Sequence, residues 1–155
     1  MDKIEKEDID IEKIFRQIFV ELTKKMISIE MIPLPWIEET SKKEYCFLIC
    51  TEGAFTSSIQ FQIETGLYEK IAKTIYKKRQ MTEEEKKLYV TEYLNIICGR
   101  ILSEINNTMK KRSKLSVPMR IKEKNESEEC EQRIQLSYHC SYGKIDISVY
   151  FDIKE

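Results

Sequence analysis

Two stretches of the chain have residue patterns typical of β-strands, and these patterns constrain the fold more than any other feature. The first is CFLICTEGAFTSSIQFQI, residues 46–63, and the second is RIQLSYHCSYGKIDISVYFDI, residues 133–153. Each contains a glycine where the chain must reverse, with the first turn expected at 51–53. In the first stretch, a β-branched and aromatic run is followed by the turn and then by alternation through Phe55, Ile59, Phe61 and Ile63, and this pattern predicts a β-hairpin. The second stretch has a similar hairpin pattern.

The two hairpin patterns resemble each other. When Gly53 is set against Gly143, an offset of 90 residues aligns the two stretches without a gap. The matched pairs are Cys50 with Cys140, Phe55 with Ile145, Ile59 with Val149, Phe61 with Phe151 and Ile63 with Ile153. Alternation alone makes apolar positions coincide, so chance similarity is one interpretation. The other is an internal duplication of a helix-then-hairpin unit.

Helical periodicity precedes each hairpin. Residues 8–28 predict an amphipathic helix capped by Asp8 or Asp10. Thr82 and Glu85 form a capping-box pattern, which predicts a long helix over residues 82–111. The apolar positions of this second helix are Leu88, Val90, Leu94, Ile97, Cys98, Ile101, Leu102 and Ile105. With the duplication, these helices predict an α+β fold with pseudo-twofold symmetry, in which one sheet packs against the helices.

Composition limits the classes of function. With 155 residues and 41% hydrophobic content, the chain predicts a single domain over residues 1–155. The formal net charge of −1 gives no overall support for nucleic-acid binding. The acidic N-terminus and the lack of an apolar run near roughly 18 residues predict a cytoplasmic protein that does not enter a membrane.

The cysteines and the only histidine do not predict a metal centre. Cys46, Cys50, His139 and Cys140 could be imagined as zinc ligands, but their spacings match no common ligand pattern. No serine or cysteine is marked as a nucleophile for His139 to activate. We therefore expect no metal site.

Gly99 lies inside the predicted 82–111 helix, where a glycine costs about 1 kcal/mol relative to alanine. On a helical wheel the polar stripe lies opposite the apolar face and consists of Glu92, Asn95, Gly99, Ser103 and Asn106. A bare position between projecting polar groups suits docking against another protein. On these residues alone, an ordinary polar helix face with a tolerated glycine is an open alternative.

The stretch TEYLNIICGRILSEINNTMKKRSKLSVPMRI, residues 91–121, resembles the signature region of the CheX-type chemotaxis phosphatases, which are related to CheC. In that family a helix carries Glu-x-x-Asn and then glycine, and a proline enters a strand some twenty residues later. Glu92, Asn95, Gly99 and Pro118 hold these places. The stretch at residues 46–76 also resembles the family's first hairpin and the helix that follows it.

The resemblance implies a hydrolase that removes the aspartyl phosphate of a CheY-like response regulator. Asn95 and Glu92 are the implied catalytic residues, with Asn95 orienting the attacking water and Glu92 pairing with a lysine of the regulator. Glu92, Gly99 and Ser103 are the implied partner-binding residues. The resemblance also implies no cofactor of the chain's own, with Mg²⁺ supplied by the receiver domain, and a homodimer joined through strands.

Two departures from the family pattern bear on this interpretation. Thr91 stands where the family often has a glycine. The first helix lacks a Glu-x-x-Asn motif, so one site per chain is expected, as in CheX and unlike CheC. The alternative function is a catalytically inactive CheX-like binding or adaptor module in a signalling or motility complex.

Overall fold

The computed structural model describes residues 10–37, 45–76, 80–121 and 130–154. Within these ranges the elements are, in chain order, α1 (Ile11–Ile27), β1 (Ile32–Leu34), β2 (Tyr45–Gly53), β3 (Phe55–Ile63), α2 (Thr65–Tyr76), α3 (Glu83–Met109), β4 (Ser113–Leu115), β5 (Met119–Ile121), β6 (Gln132–Cys140) and β7 (Gly143–Ile153). The predicted order of helices and hairpins is confirmed.

Local capping chemistry sets the starts of the two long helices. The Asp10 side chain accepts a hydrogen bond of 3.0 Å from the backbone N–H of Lys13, so Asp10 is the cap of α1. The other candidate, Asp8, lies outside the described residues. Thr82 and Glu85 form the predicted capping box of α3, each side chain accepting from the other residue's backbone N–H at 3.1 Å.

The strands form one antiparallel sheet with pseudo-twofold symmetry. Its order is β1-β6-β7-β3-β2-β4, and β5 also pairs with β2. At the centre, Ile59 of β3 lies opposite Val149 of β7, so two residues separated by the predicted offset of 90 face each other across the axis. On either side, the short strands of each half pair with the hairpin of the other half: β1 with β6, and β4 and β5 with β2.

The ungapped match between the hairpins is correct for their second strands and wrong for their first strands. Ile49 pairs with Ile59, whereas Ile134 pairs with Val149, so β2 and β6 correspond at an offset of 85 residues. Cys50 and Cys140 are therefore not equivalent, and Gly53 ends a strand whereas Gly143 begins one. The alignment failed because the two hairpins turn differently, and residues 45–50 are a continuous apolar run that does not mark the register.

The first turn also lies later than predicted. Residues 51–53 continue β2 because they pair with β4, with Thr51 opposite Leu115 and Gly53 opposite Ser113. The chain reverses at Ala54 instead. Gly53 has a φ of 133°, which favours glycine, and a Cβ there would lie 2.6 Å from the carbonyl oxygen of Arg112.

The helices cover the apolar face of the sheet. Phe19 of α1 packs on Tyr138 of β6 with ring centroids 4.9 Å apart. Tyr68 of α2 stacks on Tyr45 of β2 at 3.6 Å. The third helix, α3, packs against both α1 and α2, so only one of its sides is left to face outward.

Candidate functional site

The buried face of α3 fixes how the helix is rotated. Its fully buried side chains recur at helical spacing and are Val90, Tyr93, Leu94, Ile97, Cys98, Ile101, Leu102 and Ile105. Rotating the helix by even part of a turn would bring apolar side chains of this set into water. The residues on the opposite side are therefore held outward by the core.

A buried hydrogen bond reinforces this placement. The Tyr93 hydroxyl lies 2.6 Å from the Thr23 hydroxyl of α1, and both residues are fully buried. Burial raises the pKa of Tyr93 above its ordinary value, which keeps the phenol neutral. The polar contact can form in only one alignment of α1 and α3, so it locks the helix that carries the candidate site.

Glu92 and Asn95 project outward from adjacent positions of α3. Both side chains are exposed, and their Cα atoms are separated by about 4.5 Å along the helix axis. Neither side chain has a hydrogen-bond or ion-pair partner among the residues that the structure describes. The structure therefore brings together the acid and the amide that the sequence singled out and leaves both available to a visiting molecule.

Gly99 leaves open space beside this pair. A Cβ built at Gly99 would meet no atom within 4 Å, so the glycine is not needed for helix packing. The predicted outward direction of Gly99 is confirmed. Because Gly99 has no side chain, the surface is open one turn beyond Asn95.

Gly99 begins a shallow, open groove of about 540 Å³ that continues along α3. Its lining residues are Gly99, Leu102, Ser103, Asn106, Asn107, Lys110, Lys111, Arg112 and Leu115. Ser103 is exposed, as its position in the polar stripe predicts, and it lines the groove. Asn106 is half-buried, and its amide donates a 3.3 Å hydrogen bond to the carbonyl of Ser113, so it supports the groove wall.

Two exposed apolar residues on this face were not identified from the sequence. Leu88 is 60% exposed, although it was counted among the apolar positions of the helix, and Ile96 is 42% exposed. On a helical wheel they lie about 40° to either side of Glu92. The signal was present in the sequence, because neither residue falls on the arc occupied by the buried set.

Thr91, which replaces a glycine common in the resembled family, does not obstruct the pair. Its hydroxyl donates to the carbonyls of Lys87 at 2.9 Å and Leu88 at 2.8 Å. The side chain thus folds back along its own helix, and Glu92 and Asn95 remain uncovered.

The imagined zinc ligands do not come together. Cys46 and Cys50 lie on β2, whereas His139 and Cys140 lie on β6, with β3 and β7 between them. Three strand spacings place the two pairs roughly 14 Å apart. In the described ranges, no group of three or more histidine, cysteine or acidic side chains is arranged to hold a metal ion.

The site offers positioning chemistry. Cys98 lies near Asn95 on the helix, but its thiol points into the core, where burial raises its pKa well above the ordinary range. The outward groups are a carboxylate, which can bind a cation, and an amide, which can both donate and accept hydrogen bonds. Such a pair can orient a reactive group that another molecule supplies.

No helix within the described residues is long and apolar enough to cross a bilayer.

A family model described as "Chemotaxis phosphatase CheX" matches residues 45–141, which is more than half of the chain. This match includes both strands of the first hairpin and the whole of α3. The chain has no match among curated proteins.

Solved structures share the complete fold. A chemotaxis protein CheX from Desulfovibrio desulfuricans superposes with a TM-score of 0.78 at 16% identity, covering 93% of this chain and 100% of that chain. CheX from Vibrio vulnificus gives 0.76 at 19% identity, with 93% and 97% covered. CheX in a CheX–CheY–BeF3–Mg²⁺ complex from Borrelia burgdorferi gives 0.72 at 17% identity, with 95% and 99% covered.

At these identities the superpositions show a shared fold, while the family follows from the sequence match. That match contains Glu92, Asn95 and Gly99 on the outward side of α3. The chain belongs to the CheX family of chemotaxis phosphatases.

Proposed function

We propose that this protein removes the phosphate from the aspartyl phosphate of a CheY-like receiver domain. The observation that carries the proposal is the exposed pair on α3, in which Glu92 and Asn95 stand side by side with open space at Gly99. The family match supports phosphatase chemistry. The complex of CheX with CheY from Borrelia burgdorferi supports a receiver domain as the partner.

The chemistry needs little from the phosphatase. An aspartyl phosphate is a reactive mixed anhydride, and in this proposal the receiver domain supplies the Mg²⁺ that neutralises its charge. What the second protein adds is a water molecule held in line with the phosphorus. A positioned amide suits this task, because Asn95 offers a carbonyl acceptor and an N–H donor and does not titrate.

In the proposed step, the water oxygen forms a bond to phosphorus while the bond from phosphorus to the aspartate oxygen breaks. The electron pair of the broken bond stays on the aspartate, which leaves as a carboxylate. One proton of the water stays on the oxygen that bonds to phosphorus and the other passes to a second phosphate oxygen, so the product is inorganic phosphate. Asn95 orients the water throughout and is unchanged at the end.

Glu92 has a docking role in this proposal. Its carboxylate forms an ion pair with a lysine of the receiver domain, which sets the register in which Asn95 meets the phosphorus. An ion pair that the partner shields from water is stronger than an ion pair on an exposed surface. Glutamine matches the length of glutamate but carries no charge, so Glu92→Gln is a direct probe of this role.

The experiment measures phosphate release from receiver domains that are encoded by the same organism and carry a labelled aspartyl phosphate. Substoichiometric protein should accelerate the loss of label in proportion to its concentration. Glu92→Gln should raise KM, because the ion pair that fixes the register is lost.

The adaptor alternative predicts a different result in the same assay. Binding of the phosphorylated receivers with label loss at their own intrinsic rate would overturn the phosphatase proposal. The expected homodimer stays a prediction, and light scattering of the purified protein tests it.

A further inference from the structure

We propose that Leu88 and Ile96 are apolar anchors that bury against the receiver domain on either side of the Glu92 docking contact. The proposal deepens the proposed function and rests on it, since it assigns a surface to the same partner. Leu88 and Ile96 are 60% and 42% exposed, whereas the inward apolar residues of α3 are almost completely buried.

Position along the helix supports the assignment. Leu88 and Ile96 each lie four residues from Glu92, one in each direction, which places each about 6 Å from it along the axis. Both side chains point within about 40° of the Glu92 direction. They therefore flank the acid–amide pair and share its outward face.

Interface size makes contact with these side chains necessary. A specific protein–protein interface covers about 800 Å² on each partner, a patch roughly 30 Å across. A receiver domain that brings its phosphorus to Asn95 places the centre of this patch next to Ile96 and about two turns, roughly 10 Å along the helix axis, from Leu88, so both side chains lie inside the patch. Residues near the centre of an interface, where water is excluded, contribute most of the binding energy.

The rest of the face supports a protein partner over a small ligand. The groove beside Gly99 is shallow and open, whereas small-molecule sites enclose most of their ligand. Lys110 and Arg112 lie at the far end of the groove and give that end of the face a positive rim. Apolar side chains near the centre of a face and charged side chains at its rim are the usual arrangement in a protein interface.

The test measures binding separately from turnover. Receiver domains loaded with beryllofluoride and Mg²⁺ mimic the phosphorylated state and cannot be hydrolysed, so their Kd is measured by fluorescence anisotropy. Leu88→Ala and Ile96→Ala should each weaken binding about tenfold. In the phosphate-release assay, the same variants should raise KM by a similar factor and leave kcat within twofold of the parent value.

Ile32 provides the matched control. It is 47% exposed, close to the value for Ile96, but lies on β1 at the edge of the sheet. Ile32→Ala should leave the Kd unchanged. The docking proposal is overturned if the Leu88 and Ile96 variants bind within twofold of the parent protein, or if Ile32→Ala weakens binding as much as they do.

The two proposals fail in different ways. If the parent binds the loaded receivers without accelerating phosphate release, the phosphatase proposal fails. The Kd values of the Leu88 and Ile96 variants still test the docking proposal in that case. If the parent binds no loaded receiver, the docking proposal fails with it. Thermal melts of all variants should match the parent, because the substituted side chains are exposed.

Discussion

Replacing Gly99 with alanine should make the protein more stable and less able to bind its partner. A Cβ at Gly99 would meet nothing within 4 Å, so the methyl group introduces no clash inside the chain. Alanine is more favourable than glycine inside a helix by about 0.8–1.0 kcal/mol. For a domain of this size, that gain should raise Tm by about 2–4 °C.

Differential scanning calorimetry of the parent and of Gly99→Ala measures the gain directly. Asn107→Ala is the matched control for helix propensity, because Asn107 is exposed on the same helix and should also gain stability from alanine. A lower Tm for Gly99→Ala would refute the reasoning, since it would mean that the position faces the protein's own core.

The functional half of the prediction uses a larger side chain. Gly99→Leu should also fold, but its side chain would occupy the groove that begins beside Asn95. The Kd for beryllofluoride-loaded receivers should then rise by an order of magnitude or more, whereas Thr108→Ala, at an exposed position of α3 outside the groove lining, should bind like the parent. If Gly99→Leu binds the receivers as tightly as the parent, the open space at this position is not part of the docking surface.

Three further predictions concern the scaffold that holds the site. Tyr93→Phe should lower the free energy of unfolding by about 1–2 kcal/mol in urea titrations, because Thr23 loses its buried partner; an unchanged value would mean that the contact does not lock α3. Thr82→Ala should lower the free energy of unfolding by about 1 kcal/mol in the same titrations, whereas an unchanged value would mean that the capping box does not stabilise the protein. Burial raises the pKa values of Tyr93 and Cys98, so the unfolded chain releases these protons at lower pH than the folded chain. The free energy of unfolding should therefore fall as the pH rises above about 9, and a flat profile from pH 8 to 11 would contradict this burial.

Much of the fold was predictable because each level of the sequence pointed to the same structure. The capping box at Thr82 and Glu85 set the start of α3, and the helical period of its apolar residues set its rotation. The offset of 90 residues matched Ile59 with Val149, and the structure places these two residues opposite each other in β3 and β7. The register of the first strands did not follow, because residues 45–50 are a continuous apolar run with no alternation to distinguish an offset of 85 from one of 90.

The candidate site was predictable to a similar extent. Glu92, Asn95 and Gly99 were identified from the motif and its helical spacing, and the structure places all three on the outward face of α3. Leu88 was taken as part of the apolar pattern because a sequence does not distinguish a residue that packs on the chain's own core from one that faces a partner. Exposure makes that distinction.

The central claim is that the outward amide of Asn95 positions the water that attacks the phosphorus. The chain contains its own control, because Glu104 and Asn107 repeat the Glu-x-x-Asn spacing on the same exposed helix. The measurement is the single-turnover rate of phosphate release for Asn95→Ala and for Asn107→Ala. With saturating protein, this rate does not depend on differences in affinity. Asn95→Ala should lower the accelerated rate by about two orders of magnitude, whereas Asn107→Ala should retain it. Full acceleration by Asn95→Ala would contradict the account.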